Sequence, residues 1–260
     1  MPQKFKLILV IPCFNEAKRL QDELFISFLT VHPSIKICFV NDGSLDCTLL
    51  VLLSLRRQFP SQVKIVNQTI NKGKANTVRN GILTCYKEEQ FEQIAFLDAD
   101  LSTSLDECYT LSKLQNHRRL LVFGSRKNVS TNHIIRKKYR FVIGRIIARL
   151  ISSQLQLNIY DTQCGCKIMD RSIVLALFEE EFMSRWLFDV EIFHRFKNLY
   201  NPAQVALHFK EVTLNSWEDT EDSRVPFSYA LKLWLDLFRI GRRYKNHTSQ
   251  NSVHETILPT

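Results

Sequence analysis

The chain has 260 residues, 45% hydrophobic and 23% charged, with 7 Gly and 7 Pro, a globular composition that excludes collagen-like and low-complexity classes. The net charge of +9 is concentrated in one block, because residues 108–160 contain no Asp or Glu. Such a block indicates a negatively charged partner: nucleic acid, a phosphate-bearing substrate or an anionic membrane surface.

Buried strands and amphipathic helices alternate through the first half of the sequence. We predict strands at 7–11, 35–40, 63–66, 94–97 and 120–123, and helices at 16–29, after Asp46, at 74–87 and at 105–114. This alternation predicts βαβ units, and therefore an α/β fold built on a mostly parallel sheet. Ligands of such sheets bind beyond the carboxyl ends of the strands, where the polar motifs of this chain lie. The first strand is not followed by a G-x-G-x-x-G fingerprint, which argues against a nicotinamide-dinucleotide enzyme.

The pattern changes after residue 130. We predict a long basic amphipathic helix at 134–157, a polar loop at 161–167, a helix at 188–196, a strand at 204–214 and a second amphipathic helix at 227–244. The residues from 246 to 260 are polar, and we expect them to form a disordered tail.

The sequence also bears on the compartment in which the protein works. No apolar run is long enough to cross a membrane, and no secretory signal peptide is recognisable at the N-terminus. The 7 cysteines show neither C-x-x-C pairs nor zinc-site spacing. We therefore expect reduced thiols in a cytoplasmic protein.

Two carboxylates follow the fourth predicted strand, in the order Asp98-Ala99-Asp100. Spaced by one residue at a strand end, they can share a hard divalent cation, Mg²⁺ or Mn²⁺, which prefers oxygen ligands and can bridge phosphates. Asp42, at the end of the second strand, can accept a hydrogen bond from a nucleotide base or a ribose hydroxyl. Gly43 permits a tight turn beside it.

Taken in order, the motifs of the chain resemble those of a known family. They are Pro12-x-x-Asn15-Glu16, Asn41-Asp42-Gly43-Ser44-x-Asp46-x-Thr48, Asn71-x-Gly73-Lys74 with Arg79, Asp98-Ala99-Asp100, Gly124-Ser125-Arg126, Asp161-Thr162-Gln163-Cys164-Gly165-x-Lys167 and Trp186-x-Phe188-Asp189-x-Glu191. This series is similar to that of family 2 glycosyltransferases, which have the GT-A fold. It resembles in particular the branch of dolichyl-phosphate β-glucosyltransferases and polyprenyl-phosphate glycosyltransferases. The chain departs from the family pattern at Asn41, where Asp is common, and at Cys166, where Phe is common.

The resemblance implies roles for the matching residues. The nucleotide is expected at Pro12, Asn15, Glu16, Asp42, Lys74 and Arg79. Asp98 and Asp100 are expected to bind the metal that holds the donor diphosphate, and with Arg126 they form the expected catalytic set. The acceptor phosphate is expected at Arg126, Arg140, Gln163 and Lys167. We therefore expect a single GT-A domain over 1–245, with a nucleotide-sugar half at 5–130 and an acceptor half at 131–245.

The activity implied by the resemblance is metal-dependent, inverting transfer of a hexose, glucose from UDP-glucose, to a polyprenyl or dolichyl phosphate at the cytoplasmic face of a membrane. A lipid phosphate is already an anion and needs arginines that neutralise and aim it. The alternative acceptor is a saccharide hydroxyl in cell-surface polysaccharide synthesis. It would require a base, for which Asp189 and Glu191 are the candidates. Nucleic acid is disfavoured, because Asp98 and Asp100 would repel its phosphate backbone.

Overall fold

The computed structural model of the protein describes residues 3–135, 138–218 and 229–254. Its first half alternates strands and helices, in the order β1 (Lys4–Cys13), α1 (Asp22–Val31), β2 (Ile35–Asp42), α2 (Thr48–Gln58), β3 (Val63–Gln68), α3 (Lys74–Glu88), β4 (Gln90–Phe96), α4 (Leu105–Ser112) and β5 (Leu121–Ser125). The predicted alternation is confirmed. The start of α1 differs from the prediction, because the carbonyl of Glu16 accepts from Arg19 and Leu20 in a separate turn.

The second half contributes shorter elements and two long helices. They are β6 (His133–Ile135), α5 (Lys138–Leu155), β7 (Lys167–Asp170), α6 (Val174–Phe178), α7 (Phe188–Lys197), α8 (Pro202–His208), β8 (Phe209–Thr213), β9 (Ser216–Glu218) and α9 (Tyr229–His254), with a 3₁₀ turn at Arg171–Ile173 before α6. Helix α9 extends to His254 and therefore overlaps the stretch from residue 246 in which we expect a disordered tail.

One seven-stranded sheet, in the order β3-β2-β1-β4-β7-β5-β8, joins the two halves. Strands β1 to β4 run parallel to one another, and β5 runs parallel to β8. Strand β7 runs antiparallel between β4 and β5. We had predicted no strand there, but Lys167, Ile168 and Met169 are fully buried between two neighbours. The fold class is therefore the expected mostly parallel α/β sheet flanked by helices.

Both faces of the sheet are covered, which is why its central strands read as continuous apolar runs. Phe5, Ile8 and Val10 of β1 belong to one hydrophobic core, which also contains the buried side of α3. The alternate residues Leu7 and Leu9 belong to the second core, on the opposite face. Because β1 to β4 are parallel, their carboxyl ends meet at one rim of this covered sheet.

The predicted strand at 204–214 is wrong in its first part. Helix α8 begins at Pro202, because Asn201 and Gln204 form a capping box and Pro is favoured at the first helical position. Strand β8 starts only at Phe209.

Helix α9 packs one side against α7. Leu237, Ile240 and Tyr244 are buried. The ring of Tyr244 stacks on His194 at 4.9 Å between centroids, and its hydroxyl accepts from Nε of Arg195 at 2.9 Å. Within the described ranges, no helix has both the length and the apolar character needed to cross a bilayer.

The interface of α7 and α9 should be acid-sensitive. Burial, assisted by Lys197, lowers the pKa of His194 from 6.5 to about 4. The unfolded chain therefore binds a proton at a higher pH than the folded protein does. We expect the free energy of unfolding to fall by up to about 3 kcal/mol as the pH falls from 6.5 to 4. Urea unfolding at pH 7 and pH 4.5 measures this loss. A His194→Gln variant should lose less stability over the same interval, and an equal loss in both proteins would contradict the assignment.

Candidate active site

Asp98 and Asp100 lie just beyond β4, at the carboxyl rim of the sheet. Oδ1 of Asp98 contacts Nζ of Lys74, the first residue of α3. Asp100 accepts hydrogen bonds from the backbone N–H and the hydroxyl of Ser102, at 3.0 and 2.9 Å. Nη2 of Arg19 lies 3.6 Å from the other carboxylate oxygen of Asp100. Both acidic residues are thus held by cations or donors at the rim.

The loop at 161–167 touches the same carboxylate through a glycine. A Cβ atom placed on Gly165 would lie 2.2 Å from Oδ2 of Asp98, closer than any real contact of this type. Only glycine therefore lets the loop approach Asp98. This contact places the polar loop of the second half directly against the acidic pair of the first half.

A chain of alternating charges runs inward from Asp98. Although burial alone would lower the pKa of Lys74, the carboxylates of Asp98 and Asp189 raise it above its usual value. Burial raises the pKa of Asp189, against the opposing effect of Lys167 and Lys74. Nζ of the fully buried Lys167 lies 2.6 Å from Oδ1 of Asp189 and donates to the carbonyl of Cys164 at 2.7 Å.

The expected nucleotide motifs meet at the ends of β1 and β2. The backbone N–H of Asn15 donates to Oγ of Ser44 at 2.9 Å, and that of Glu16 donates to Oγ1 of Thr48 at 2.8 Å. Asn15 adopts a positive φ of 50°, which turns the chain back over the rim. Pro12 lies beside Val40 in the register of β1 with β2. Three of the expected nucleotide residues, Pro12, Asn15 and Glu16, thus lie at the strand ends where Asp42 also lies.

Asp42 holds a loop of the site together, and the base contact that we expect of it stays a prediction. Its two carboxylate oxygens accept from the backbone N–H groups of Lys72 and Gly73, at 2.7 and 2.9 Å. It therefore fixes the loop that leads into α3 and positions Lys74. Gly73 has a φ of 84°, a conformation that favours glycine.

Arg79 is not brought to the acidic pair by any contact in the structure. Its Nε donates to the carbonyls of Phe178 and Glu180 at 2.8 and 3.1 Å, and its Nη2 donates to that of Glu179. The guanidinium thus satisfies carbonyls at the C-terminal end of α6, whose last turn lacks intrahelical partners. These contacts give Arg79 a structural role, and its expected contact with the nucleotide stays a prediction.

A second polar cluster lies beyond β5, and we call it the Tyr160 cluster. Nε and Nη2 of Arg126 donate to the two oxygens of Asp161, at 2.7 and 2.9 Å. The guanidinium also lies 5.1 Å from the ring of Trp217. Arg145 stacks on the ring of Tyr160 at 3.6 Å, and Nζ of Lys127 lies 5.8 Å from the same ring. Two cations therefore lie over the ring of Tyr160, and a third, Arg126, is bound to the next residue in the chain, Asp161.

The Tyr160 cluster and the acidic pair belong to one electrostatic site. Burial alone would lower the pKa of Arg126, but the carboxylate of Asp161 outweighs it and raises the pKa, and Asp98 adds to this effect. The loop between the clusters is anchored by Glu211, which accepts from the backbone N–H groups of Tyr160 and Asp161 at 2.9 and 2.8 Å.

The other expected acceptor residues are distributed differently. Gln163 lies in the loop, and its buried Nε2 has no hydrogen-bond partner among the residues that the structure describes. Lys167 is fully buried and cannot touch an acceptor. Arg140 lies in α5, but its side chain falls outside the described residues.

The two candidate bases, Asp189 and Glu191, lie in different surroundings. Asp189 faces Lys74 and Lys167, in the same electrostatic environment as Asp98. Glu191 is fully buried and accepts from the backbone N–H groups of Met183 and Ser184 at 2.9 and 3.1 Å. Only Asp189 therefore remains a candidate in the site.

The rim fits a divalent cation that binds together with a phosphate ligand. Asp98 and Asp100 supply hard oxygen atoms, but no group of three His, Cys, Asp or Glu side chains converges within the described part of the chain. Mg²⁺ is usually held by one or two carboxylates, with water and substrate phosphates completing its shell. The acidic pair meets this requirement and does not form a closed protein cage.

Several residues of the site escaped the sequence reasoning. Arg19, Lys127, Arg145 and Tyr160 were not predicted as site residues, although Lys127 and Arg145 belong to the acid-free block. No spacing in the sequence marks Tyr160, because its ring comes into contact with these cations only in the folded protein.

Comparison with known proteins decides the family. The model of Glycosyl transferase family 2 matches residues 8–178, which is more than half of the chain. The chain belongs to this family. It is a glycosyltransferase.

Among relatives of this glycosyltransferase is the dolichyl-phosphate beta-glucosyltransferase of Mus musculus, which is 30% identical over 256 residues, covering 92% of the chain and 76% of the relative. The protein of the same name from Homo sapiens is 29% identical over 257 residues, with 92% and 76% coverage. The chain also resembles glucosyl-3-phosphoglycerate synthase from Mycobacterium tuberculosis, solved in complex with Mn²⁺, UDP and glucosyl-3-phosphoglycerate. The TM-score is 0.62, with 13% identity and 92% and 80% coverage. This last likeness establishes the shared GT-A fold.

The contact of Gly165 with Asp98 predicts a specific defect. In a Gly165→Ala variant, the new methyl group must displace the Asp98 carboxylate or the loop. Because misplacement by about 1 Å can cost about a hundredfold in rate, we expect kcat/KM for glycosyl transfer to fall by about that factor. Far-UV circular dichroism should stay unchanged, and an Asp98→Asn variant should show a comparable loss. Wild-type activity in Gly165→Ala would show that the carboxylate position is unimportant.

Proposed function

We propose that this glycosyltransferase moves glucose, with inversion, from UDP-glucose to a dolichyl or polyprenyl phosphate. Relatives that match over nine-tenths of the chain are named for dolichyl-phosphate beta-glucosyl transfer. The observation that carries the proposal is the Tyr160 cluster, in which Lys127 and Arg145 lie over the ring of Tyr160 and Arg126, held by the adjacent Asp161, also interacts electrostatically with Asp98. A phosphate acceptor is the ligand that such a group of cations suits.

The donor end of the site is proposed at Asp98, Asp100 and Lys74. Asp98 and Asp100 would hold Mg²⁺ or Mn²⁺, and the metal would stabilise charge on the departing nucleotide diphosphate. Lys74 is placed to add a positive charge beside the same diphosphate, since it stands at the start of α3 on the rim. The turns at Asn15 and Ser44 are proposed to line the nucleotide.

The acceptor end requires orientation more than proton removal. An acceptor phosphate is already ionised, so the protein must neutralise it and align one oxygen with the sugar. Arg126 has both of its bonded nitrogens on Asp161, which fixes the plane of the guanidinium and leaves Nη1 to donate. Arg145 is fixed in a similar way, because its Nη1 donates to the carbonyl of Tyr160 at 2.7 Å. Fixed cations lose little entropy when they bind a phosphate.

A saccharide hydroxyl remains the second candidate acceptor because of Asp189. Burial raises the pKa of this carboxyl group, and a raised pKa suits a general base. Two features weigh against it: Asp189 already pairs with Lys167, and the Tyr160 cluster would then have no phosphate to bind.

We also propose that the enzyme works on an anionic membrane surface through α9. On the side of α9 that faces away from the core, Trp234, Leu235 and Phe238 are 50%, 55% and 68% exposed. The exposed cations Lys232, Arg239, Arg242 and Lys245 lie between and beside them. The acidic residue of this stretch, Asp236, is buried and accepts from the hydroxyl of Ser184 at 2.8 Å. A helix face with large apolar side chains, cations and no exposed carboxylate matches an anionic lipid interface.

The donor and acceptor can be tested together. The enzyme is incubated with UDP-glucose or GDP-mannose, Mg²⁺ or Mn²⁺, and dolichyl phosphate, and sugar in the lipid extract is measured. We expect glucose product from UDP-glucose, lost when EDTA removes the metal. An Arg126→Lys variant should lose about a hundredfold in kcat/KM for dolichyl phosphate, because it cannot form the two-bond geometry. Its affinity for UDP should be unchanged.

No lipid-extractable sugar from either donor would reject the proposed acceptor. Transfer to a saccharide that depends on Asp189, tested with an Asp189→Asn variant, would favour the second candidate. GDP-mannose as the better donor would retain the acceptor and reject glucose.

The membrane surface is tested by vesicle flotation. Replacing Trp234, Leu235 and Phe238 together by Ser should weaken binding to phosphatidylserine-containing vesicles by more than about tenfold, because three apolar side chains no longer leave water. Leu50→Ser is the matched control, since Leu50 is 65% exposed on α2. Equal binding by the triple variant and the wild type would exclude α9 as the docking surface.

A further inference from the structure

The carboxylate of Asp98 has little room for a new ligand. Its Oδ2 lies against Gly165, so close that a Cβ atom there would overlap it. Its Oδ1 is in contact with the ammonium group of Lys74. A divalent cation that binds Asp98 through Oδ1 must therefore take the place of Lys74.

The charges around Asp98 are balanced by the protein itself. Asp98 and Asp189 face Lys74 and Lys167, and Asp100 lies beside Arg19. A divalent cation that binds without a nucleotide would add positive charge next to the Lys74 ammonium, and the two positive charges would repel each other. A nucleotide diphosphate that binds together with the cation brings negative charge, which attracts both the cation and the Lys74 ammonium.

Lys74 can also move away from Asp98 without leaving any charged group other than Asp98 unpaired. Its side chain is 26% exposed and sits at the first residue of α3, at the edge of the site. Its second carboxylate neighbour, Asp189, has a closer partner in Lys167 at 2.6 Å. When Lys74 swings toward a phosphate, Asp189 remains neutralised, and only Asp98 requires a new cation.

We propose that Lys74 and the divalent cation compete for Asp98, so that the metal binds tightly only together with the nucleotide diphosphate, which accepts the displaced ammonium. Lys74 acts as a positioning residue that makes metal binding conditional on the donor. The inference rests on the proposed nucleotide-sugar donor, and it concerns binding alone.

The test is a titration of the protein with Mn²⁺, in which the electron paramagnetic resonance signal reports free metal, with and without UDP. The wild-type enzyme should bind Mn²⁺ weakly alone and much more tightly with UDP. In a Lys74→Gln variant, the affinity for Mn²⁺ alone should rise about tenfold, because the competing charge is gone. The gain in Mn²⁺ affinity from UDP should shrink in the same variant.

Two controls separate competition from a general charge effect. Lys72→Gln removes the same charge from an exposed side chain two positions away, and Lys74→Arg keeps the charge at the site. Both should bind Mn²⁺ as the wild type does. Lys74→Met provides the same test as Lys74→Gln if the latter does not fold. The proposal is overturned if the variants without charge at position 74 bind Mn²⁺ no more tightly, or if Lys72→Gln gains equally.

A wild-type measurement can also overturn the proposal without any variant. Equal Mn²⁺ affinity with and without UDP would overturn the proposal directly. Because the titration needs no acceptor, coupling without transfer to dolichyl phosphate would reject the proposed acceptor and leave this inference standing. Normal transfer without coupling would reject this inference alone.

Discussion

The architecture of the site depends on one fully buried ammonium group. Lys167 stands at the start of β7, with the rings of Phe96 and Phe193 at 5.4 and 5.8 Å, and it meets Asp189 and the carbonyl of Cys164. An unpaired charge in such surroundings would cost several kcal/mol. The loop at 161–167, β7 and the start of α7 must therefore assemble together. Their assembly brings Gly165 to Asp98 and places Asp189 next to Lys74.

The first half of the fold could be predicted because its strands are continuous apolar runs buried on both faces. Strand β7 could not be predicted in this way, since it is four residues long and begins with Lys167. The start of α8 was readable from Asn201, Pro202 and Gln204, but the apolar residues that follow suggested a strand. Local capping chemistry therefore decided an element that hydrophobic pattern alone misassigned.

Contacts between site residues that follow strand ends could be predicted from the sequence, whereas contacts made by residues on helix faces could not. Asp98 and Lys74 come together because β4 ends and α3 begins at the same rim. Arg79 lies on α3 as well, yet its side chain reaches α6, and sequence spacing does not reveal which helix lies alongside. Asp189 and Glu191 are two positions apart in α7, so they point in different directions, and only one reaches the charge chain.

In the folded protein, carboxylates from outside the acid-free block lie against it. Arg126 is paired with Asp161, which lies just after the block, and Glu211 anchors the same loop from β8. Carboxylates from later in the chain thus neutralise part of the positive charge. The remaining positive charge lies at the Tyr160 cluster and on α9. The net charge of +9 therefore overstates how strongly the surface as a whole attracts anions.

The position of β7 has a consequence for how the chain folds during synthesis. Among the described strands, β4 and β5 are joined only through β7, so the sheet stays divided until Lys167–Asp170 has left the ribosome, and it is complete only after Phe209–Thr213 follows. Until then, the finished β1–β4 portion presents an open edge along β4, which is a template for mispairing. Closing the sheet requires contacts far apart in sequence, which slows folding. The nascent protein is therefore most exposed to aggregation late in its synthesis, when chaperones that cover strand edges would matter most.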